Sequence, residues 1–164
     1  MKYNSFEDLP VWQAAIELAR HTYRFTVHQA FRGHTGLRDQ LERAALSVSN
    51  NIAEGFERGS TSELLAFLYI ARGSAGEVRS ILCVLEGLTS FEDLKSQISD
   101  LRSRCRNISR QLYRWIEQLK NSDITGQRHL NHKVRSRTAV QKERDAFLQE
   151  LDRIRQSVPK QSEM

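Results

Sequence analysis

The chain has 164 residues, 25 Lys and Arg against 20 Asp and Glu, and a formal charge of +5, enough for one domain with an appendage. Scarce glycine and proline beside plentiful Leu, Ala, Arg, Gln and Glu disfavour a sheet-rich fold and favour helices. Its start, Met1 to Asp8, has no apolar segment of signal-peptide type, and no window approaches a membrane span, so a cytoplasmic protein without membrane contact is expected.

The first predicted helix runs over about residues 9–28, with Pro10 tolerated in its first turn because its missing donor would be unpaired there anyway. Trp12, Ile16, Ala19, Tyr23 and Thr26 form one apolar seam, and Val11, Ala15, Leu18 and Phe25 a parallel one. Residues 31–36 read as a loop, with Thr35 as a cap for a second helix over about residues 36–55.

That second helix carries two patterns at once. Leu37, Leu41, Ala44 or Ala45, Val48 and Ile52 stack on one side. Arg43, Ser47, Asn51, Glu54 and Arg58 stack on an adjacent side, where Gln40 and a neighbouring Glu77 extend the set. A helix with both an apolar and a hydrogen-bonding seam packs against two surfaces, so this polar set reads as a packing network within or between subunits. Gly55 is the expected helix end, since a residue past the last turn often adopts a left-handed conformation.

Ser60-Thr61-Ser62-Glu63 has the form of a capping box for a third helix over about residues 61–88. Its broad seam is Leu64, Phe67 or Leu68, Ala71, Ser74 or Ala75, Val78, Ile81 or Leu82, Leu85 and Leu88. The back face, Leu65, Tyr69, Gly73, Gly76, Ser80 and Val84, is small and apolar. Each mid-helix glycine costs about 1 kcal/mol relative to alanine, which close approach of another helix would offset. This face is therefore the expected oligomer interface.

The fourth helix is expected over about residues 91–120, with the cleanest seam: Leu94, Ile98, Leu101, Cys105, Ile108, Leu112, Trp115 and Leu119. Alternating steps of four and three favour the left-handed packing of a four-helix bundle. Cys83 and Cys105 fall on apolar seams of different helices and read as small hydrophobes of a reducing compartment, a disulfide being the alternative. Residues 121–138 form a polar, basic connector, and Val140, Phe147, Leu151, Ile154 and Val158 mark a weaker amphipathic stretch. This fifth helix could dock on the bundle, pair with another chain or form only with a partner. The fold class is thus an all-α, antiparallel up-down four-helix bundle over residues 1–120, followed by a basic C-terminal extension over 121–164.

Charge is unevenly placed. The first ninety residues hold nine basic and ten acidic side chains, the remaining seventy-four sixteen and ten. Arg102, Arg106, Arg110 and Arg114 recur at four-residue steps on the fourth helix, extended by Arg104, Lys95 and Lys120. Arg128, Lys133, Arg135 and Arg137, with His129 and His132, form the densest uncompensated run of the tail. Guanidinium groups suit bidentate, sequence-tolerant contact with phosphates, so both elements are candidates for binding the backbone of RNA or DNA; the plain alternative is a solvated basic face. With few aromatics expected at the surface, contact with backbone and shape is anticipated, without base stacking.

The chemistry of an enzyme is not visible. There is no phosphate-cradling glycine loop, no nucleophile elbow and no Ser/His/Asp arrangement. A carboxylate-bridged metal site in a bundle needs Glu-x-x-His on two helices, which is lacking, and the pair His129 and His132 has no cysteines at zinc spacing. No catalytic residue, metal or cofactor is expected.

The chain resembles a known bacterial family of four-helix bundles, the 23S rRNA intervening-sequence proteins. The matching residues are Phe6, Leu9-Pro10-Val11-Trp12, Ala15, Leu18 and Tyr23, then Leu37, Gln40-Leu41, Arg43-Ala44-Ala45, Ser47-Val48 and Asn51-Ile52-Ala53-Glu54-Gly55. They continue through Arg58, Ser60, Glu63, Phe67-Leu68, Ile70-Ala71, Gly73-Ser74 and Glu77. The match is most specific over about residues 6–77 and runs through the fourth helix near Lys120. The resemblance implies a homo-oligomer, in related proteins a five-membered barrel. Some members are encoded within inserts of the large-subunit rRNA gene. Others resemble accessory variability proteins of diversity-generating retroelements, which hold a reverse transcriptase and its RNA. The function expected is a non-enzymatic oligomeric accessory module for nucleic acid or nucleoprotein; the alternative is a protein–protein scaffold with no nucleic-acid role.

Overall fold

The computed structural model describes residues 3–121 and, beyond them, Arg144, Ala146, Leu148 and Gln149, which are helical. The chain divides into two units, Met1–Arg128 and His129–Met164. The first is an all-α bundle of four long helices: α1, Pro10–Thr26; α2, Thr35–Glu57; α3, Thr61–Glu86; and α4, Lys95–Lys120. The fifth amphipathic stretch lies outside the described residues apart from those four.

Chain neighbours are also spatial neighbours. α2 packs on α3, α3 on α4, and α1 touches both α2 and α4, which closes the ring. The contacts run antiparallel: Thr26 reaches Glu42, Ser47 meets Ser74, and Arg102 reaches back to Glu86. The core is one continuous apolar column that includes Leu18, Ile52, Leu68, Leu82, Ile98 and Ile116, each fully buried.

Local chemistry explains the helix boundaries. Leu9 is extended, as a residue before proline prefers to be, and Pro10 opens α1. α2 begins at Thr35 itself; His34 holds the cap position and makes no side-chain capping bond. Ser60 caps α3 as expected, accepting from the Glu63 backbone N–H at 3.3 Å while its hydroxyl donates to the Glu63 carboxylate at 2.6 Å.

Gly55 does not end α2. The helix continues to Glu57, and Gly55 is buried against α3. A Cβ placed there would stand 2.7 Å from Phe67 Cβ, so the glycine exists for close helix contact. Among the described residues the glycine with positive φ is Gly33, at +86° in the connection between α1 and α2.

The α1–α2 and α3–α4 connections each carry a short 3₁₀ turn, and the two turns meet at one end of the bundle. Phe31 and Phe91, from the turns Gln29–Phe31 and Thr89–Leu94, meet edge-to-face at 4.8 Å, and Phe25 of α1 packs on Phe31 at 5.3 Å. The second of these turns takes Thr89–Leu94 out of the fourth helix, so α4 starts at Lys95.

The seams are sharper than the periodicity alone suggests. In α1 the Val11, Ala15, Leu18 and Phe25 row enters the core, with Ala19, Thr22 and Thr26 beside it, while Tyr23 is exposed. In α4 the buried row ends at Ile116, and Trp115 and Leu119 are half-buried flanks. A straight helix turns once per 3.6 residues, so a row kept strictly at alternating fours and threes drifts off the core within a few turns.

Candidate nucleic-acid interface

Because α3 and α4 run antiparallel, a polar residue on the flank of one faces a partner on the flank of the other. Arg72 and Arg79 lie two turns apart on α3, and Arg106, Arg110 and Arg114 lie at one-turn steps on α4. Together with Ser109 and Tyr113 these five arginines line one cleft of about 510 Å³. Among the described residues no carboxylate forms an ion pair with any of the five.

The cleft has an internal order. The Arg72 guanidinium lies over the Tyr113 ring, 5.2 Å from its centroid, and the ring remains 50% exposed. Arg79 Nε and Ser109 Oγ are both buried without a hydrogen-bond partner among the described residues. Gly76 lies one turn before Arg79, whose Nη2 passes 3.9 Å from where a Gly76 side chain would begin. Below, Cys105 is buried, and that burial pushes its thiol up to about 12 against the pull of the Arg79 charge. Burial thus favours the neutral thiol.

The other basic residues of α4 are engaged. Arg102 donates to Glu86 at 2.5 Å, Arg104 to Asp100 at 2.7 Å, and Lys120 to Glu117 at 3.0 Å. Lys120 also lies over Tyr69, and these two neighbours, Tyr69 first, hold its pKa above the usual lysine value. Arg128, Lys133, Arg135 and Arg137 lie outside the described residues. The uncompensated positive charge of the described bundle is thus concentrated in the α3–α4 cleft.

Sequence reasoning named Arg106, Arg110 and Arg114 and passed over Arg72, Arg79 and Tyr113. The signal was present: the seven-residue step from Arg72 to Arg79 puts both on one flank of α3, facing α4 across the short connection at residues 87–94. Dividing α3 into a core seam and a small-residue back face leaves this flank unassigned.

The polar set on α2 separates into two parts. Asn51 donates to the Ser47 carbonyl at 2.7 Å and to its hydroxyl at 2.9 Å, and the Ser47 hydroxyl meets that of Ser74 on α3 at 3.0 Å. This neutral bridge ties α2 to α3. Glu54 and Arg58 instead pair at the surface at 2.5 Å, with Arg58 also over the Phe67 ring. Gln40, Arg43 and Glu77 are exposed and do not join the bridge. Sorting the charges outward and the neutral hydroxyls inward avoids burying an unpaired charge.

On the back of α3, Tyr69, Gly73, Ser80 and Val84 are exposed, and Gly76 and Leu65 half-buried. A side chain at Gly73 would meet nothing within 4 Å, so no contact within the described bundle calls for that glycine. Among the described residues no three His, Cys, Asp or Glu side chains gather as a metal site, and no helix is long and apolar enough to cross a membrane.

The sequence profile of the family described as 23S rRNA-intervening sequence protein matches residues 7–114, a span that includes all five cleft arginines. Among solved structures, the chain is similar to a Bacteroides thetaiotaomicron protein described as of unknown function and from the S23 ribosomal protein family. The TM-score is 0.56 at 19% identity, over 65% of this chain and 98% of that one, a likeness of fold alone. No curated protein sequence matches.

Proposed function

The chain belongs to the 23S rRNA-intervening sequence protein family, and from that premise we propose that it is a non-enzymatic accessory module that binds the phosphate backbone of nucleic acid. The observation that carries this reading is the α3–α4 cleft, where five arginines converge without a carboxylate partner among the described residues. Like charges gathered on two helices repel one another and weaken the bundle unless an anion neutralises them. Guanidinium forks match phosphate oxygens in charge and geometry, and their contacts are indifferent to base identity.

The open, small-residue face of α3 supports self-association into a closed particle, five-membered by family resemblance. In that setting each copy would contribute one arginine cleft, and RNA, or a reverse transcriptase holding its template, would meet a repeated cationic surface. The cytoplasm, where such partners reside, is the compartment this reading requires.

A second reading, a protein–protein scaffold with no nucleic-acid role, is favoured by a groove between α1 and α2. There Tyr23 and Leu46 are exposed beside half-buried Ile16, flanked by Arg20 and Arg24. Titration of labelled RNA and DNA across salt concentrations separates the two. Backbone binding gives a log–log slope of about −0.7 per phosphate contacted on single strands and about −0.9 on duplex DNA. A scaffold gives no binding at low salt.

A further inference from the structure

Tyr113 gives the arginine cleft a property that charge alone does not. It is the aromatic residue among the cleft's lining, it is 50% exposed, and guanidinium groups stand on both sides of it along α4, at Arg110 and Arg114. Arg72 from α3 braces the ring from 5.2 Å, which holds it in place without enclosing it. At about 510 Å³ the cleft falls in the range of small-ligand sites, roughly 300–1,000 Å³, and is too small to admit a double helix.

Building on the backbone-binding reading above, we infer that the α3–α4 cleft is a site for single-stranded nucleic acid, with one unpaired base stacked on Tyr113 and the adjoining phosphates held by the surrounding arginines. A duplex keeps its bases paired and stacked, so it would meet the arginines at the rim and offer nothing to the ring. A single strand can turn a base outward at little cost, and every base has a face that stacks on an aromatic ring, so the preference is for strandedness and not for sequence. Ser109 and Arg79 line the same cleft, and their Oγ and Nε atoms are buried without hydrogen-bond partners among the described residues. The expectation from sequence that stacking would be absent came from counting few exposed aromatics; one is enough where it stands among the arginines.

The test uses the full chain and two labelled probes of equal length, oligothymidylate and an abasic strand with the same number of phosphates, at one fixed salt concentration. The wild type should prefer the base-bearing strand by about tenfold, the scale of one stacked base. Tyr113→Leu should bring that ratio close to one, and Tyr113→Phe, which keeps the ring, should retain it. Because Tyr113 lies at the surface, both variants should fold, which circular dichroism checks. Equal binding of the two strands by the wild type, or a preference that survives Tyr113→Leu, overturns the stacking site and leaves backbone binding standing. Failure of both strands to bind at low salt overturns both readings.

Discussion

The guanidinium of Arg72 on α3 sits over the ring of Tyr113 on α4, 5.2 Å from its centroid, and so pins together the two helices whose facing flanks carry the uncompensated arginines. Neither residue is in the core. Their contact is a surface clasp at the edge of the cleft, whose α4 arginines are Arg106, Arg110 and Arg114; Arg102 and Arg104 stand outside it, engaged by Glu86 and Asp100.

The first prediction follows from that division. Replacing Arg106, Arg110 and Arg114 by Gln should make the log–log salt slope for single-stranded RNA shallower by about 2 if each arginine meets one phosphate. Replacing Arg102 and Arg104 should change it far less, because those side chains would first have to leave Glu86 and Asp100. Thermal stability of the triple variant should hold or rise, since three mutually repelling surface charges are removed. Equal effects of the two sets on slope would mean that the carboxylate pairs open freely and that the cleft is not a distinct site.

The second prediction contrasts two glycines. Gly55→Ala should destabilise the bundle by about 1–3 kcal/mol, because the added carbon would meet Phe67 Cβ at 2.7 Å, close to the backbone where little can yield. Gly73→Ala has open space around it in the described bundle and should not destabilise an isolated chain; helix propensity alone would favour it by up to about 1 kcal/mol. Gly73→Leu should instead break the assembly, by holding a neighbouring helix away. Light scattering coupled to size exclusion would read several copies per particle for wild type and fewer for Gly73→Leu, with helix content unchanged. A particle mass unaffected by Gly73→Leu would remove this face from the interface.

These two glycines also mark how far the sequence could be read. The four bundle helices, the Ser60 cap and most of the core were legible because apolar residues at steps of three and four leave little choice of buried face. Gly55 was misplaced because a glycine near a helix end and a glycine at a tight crossing look alike until the partner, Phe67, is known. The aromatic end of the bundle was missed because Phe31 and Phe91 stand outside the helical periodicity, in turns whose packing depends on each other. The arginine cleft was half legible: its α4 row repeats visibly, but Arg72 and Arg79 gain meaning only from antiparallel adjacency, a tertiary fact.

The third prediction concerns the two thiols. Cys83 is exposed and Cys105 buried, so at neutral pH a thiol-reactive dye should label Cys83 readily and Cys105 only upon unfolding. Burial raises the Cys105 thiol from 9.0 to about 12, so the folded state favours the protonated form. Its contribution to stability is complete below 9.0 and is lost as pH rises toward about 12, because the unfolded chain ionises first. Alkaline melts of wild type should therefore fall faster over that window than those of Cys105→Ala. Rapid labelling of both thiols under native conditions would show that the α3–α4 region opens.

The last prediction separates the bundle from its extension. Deleting residues 121–164 removes nine basic and six acidic side chains and lowers the formal charge from +5 to +2. Among the described residues the buried apolar column runs from Leu9 to Ile116, so the shortened chain should keep its helix content and its particle mass. Its nucleic-acid affinity should fall, and the salt slope should shrink, because Arg128, Lys133, Arg135 and Arg137 are gone while the α3–α4 cleft remains. The preference for base-bearing over abasic strands should survive, since Tyr113 and the cleft arginines are all retained. This splits the two basic elements by readout: the extension sets overall electrostatic attraction, and the cleft sets the choice of strand. If the shortened chain unfolds or aggregates, Phe147, Leu151 and Ile154 belong to the structural core of the assembly. If it folds but loses its preference for bases along with its affinity, the extension and the cleft act as one site.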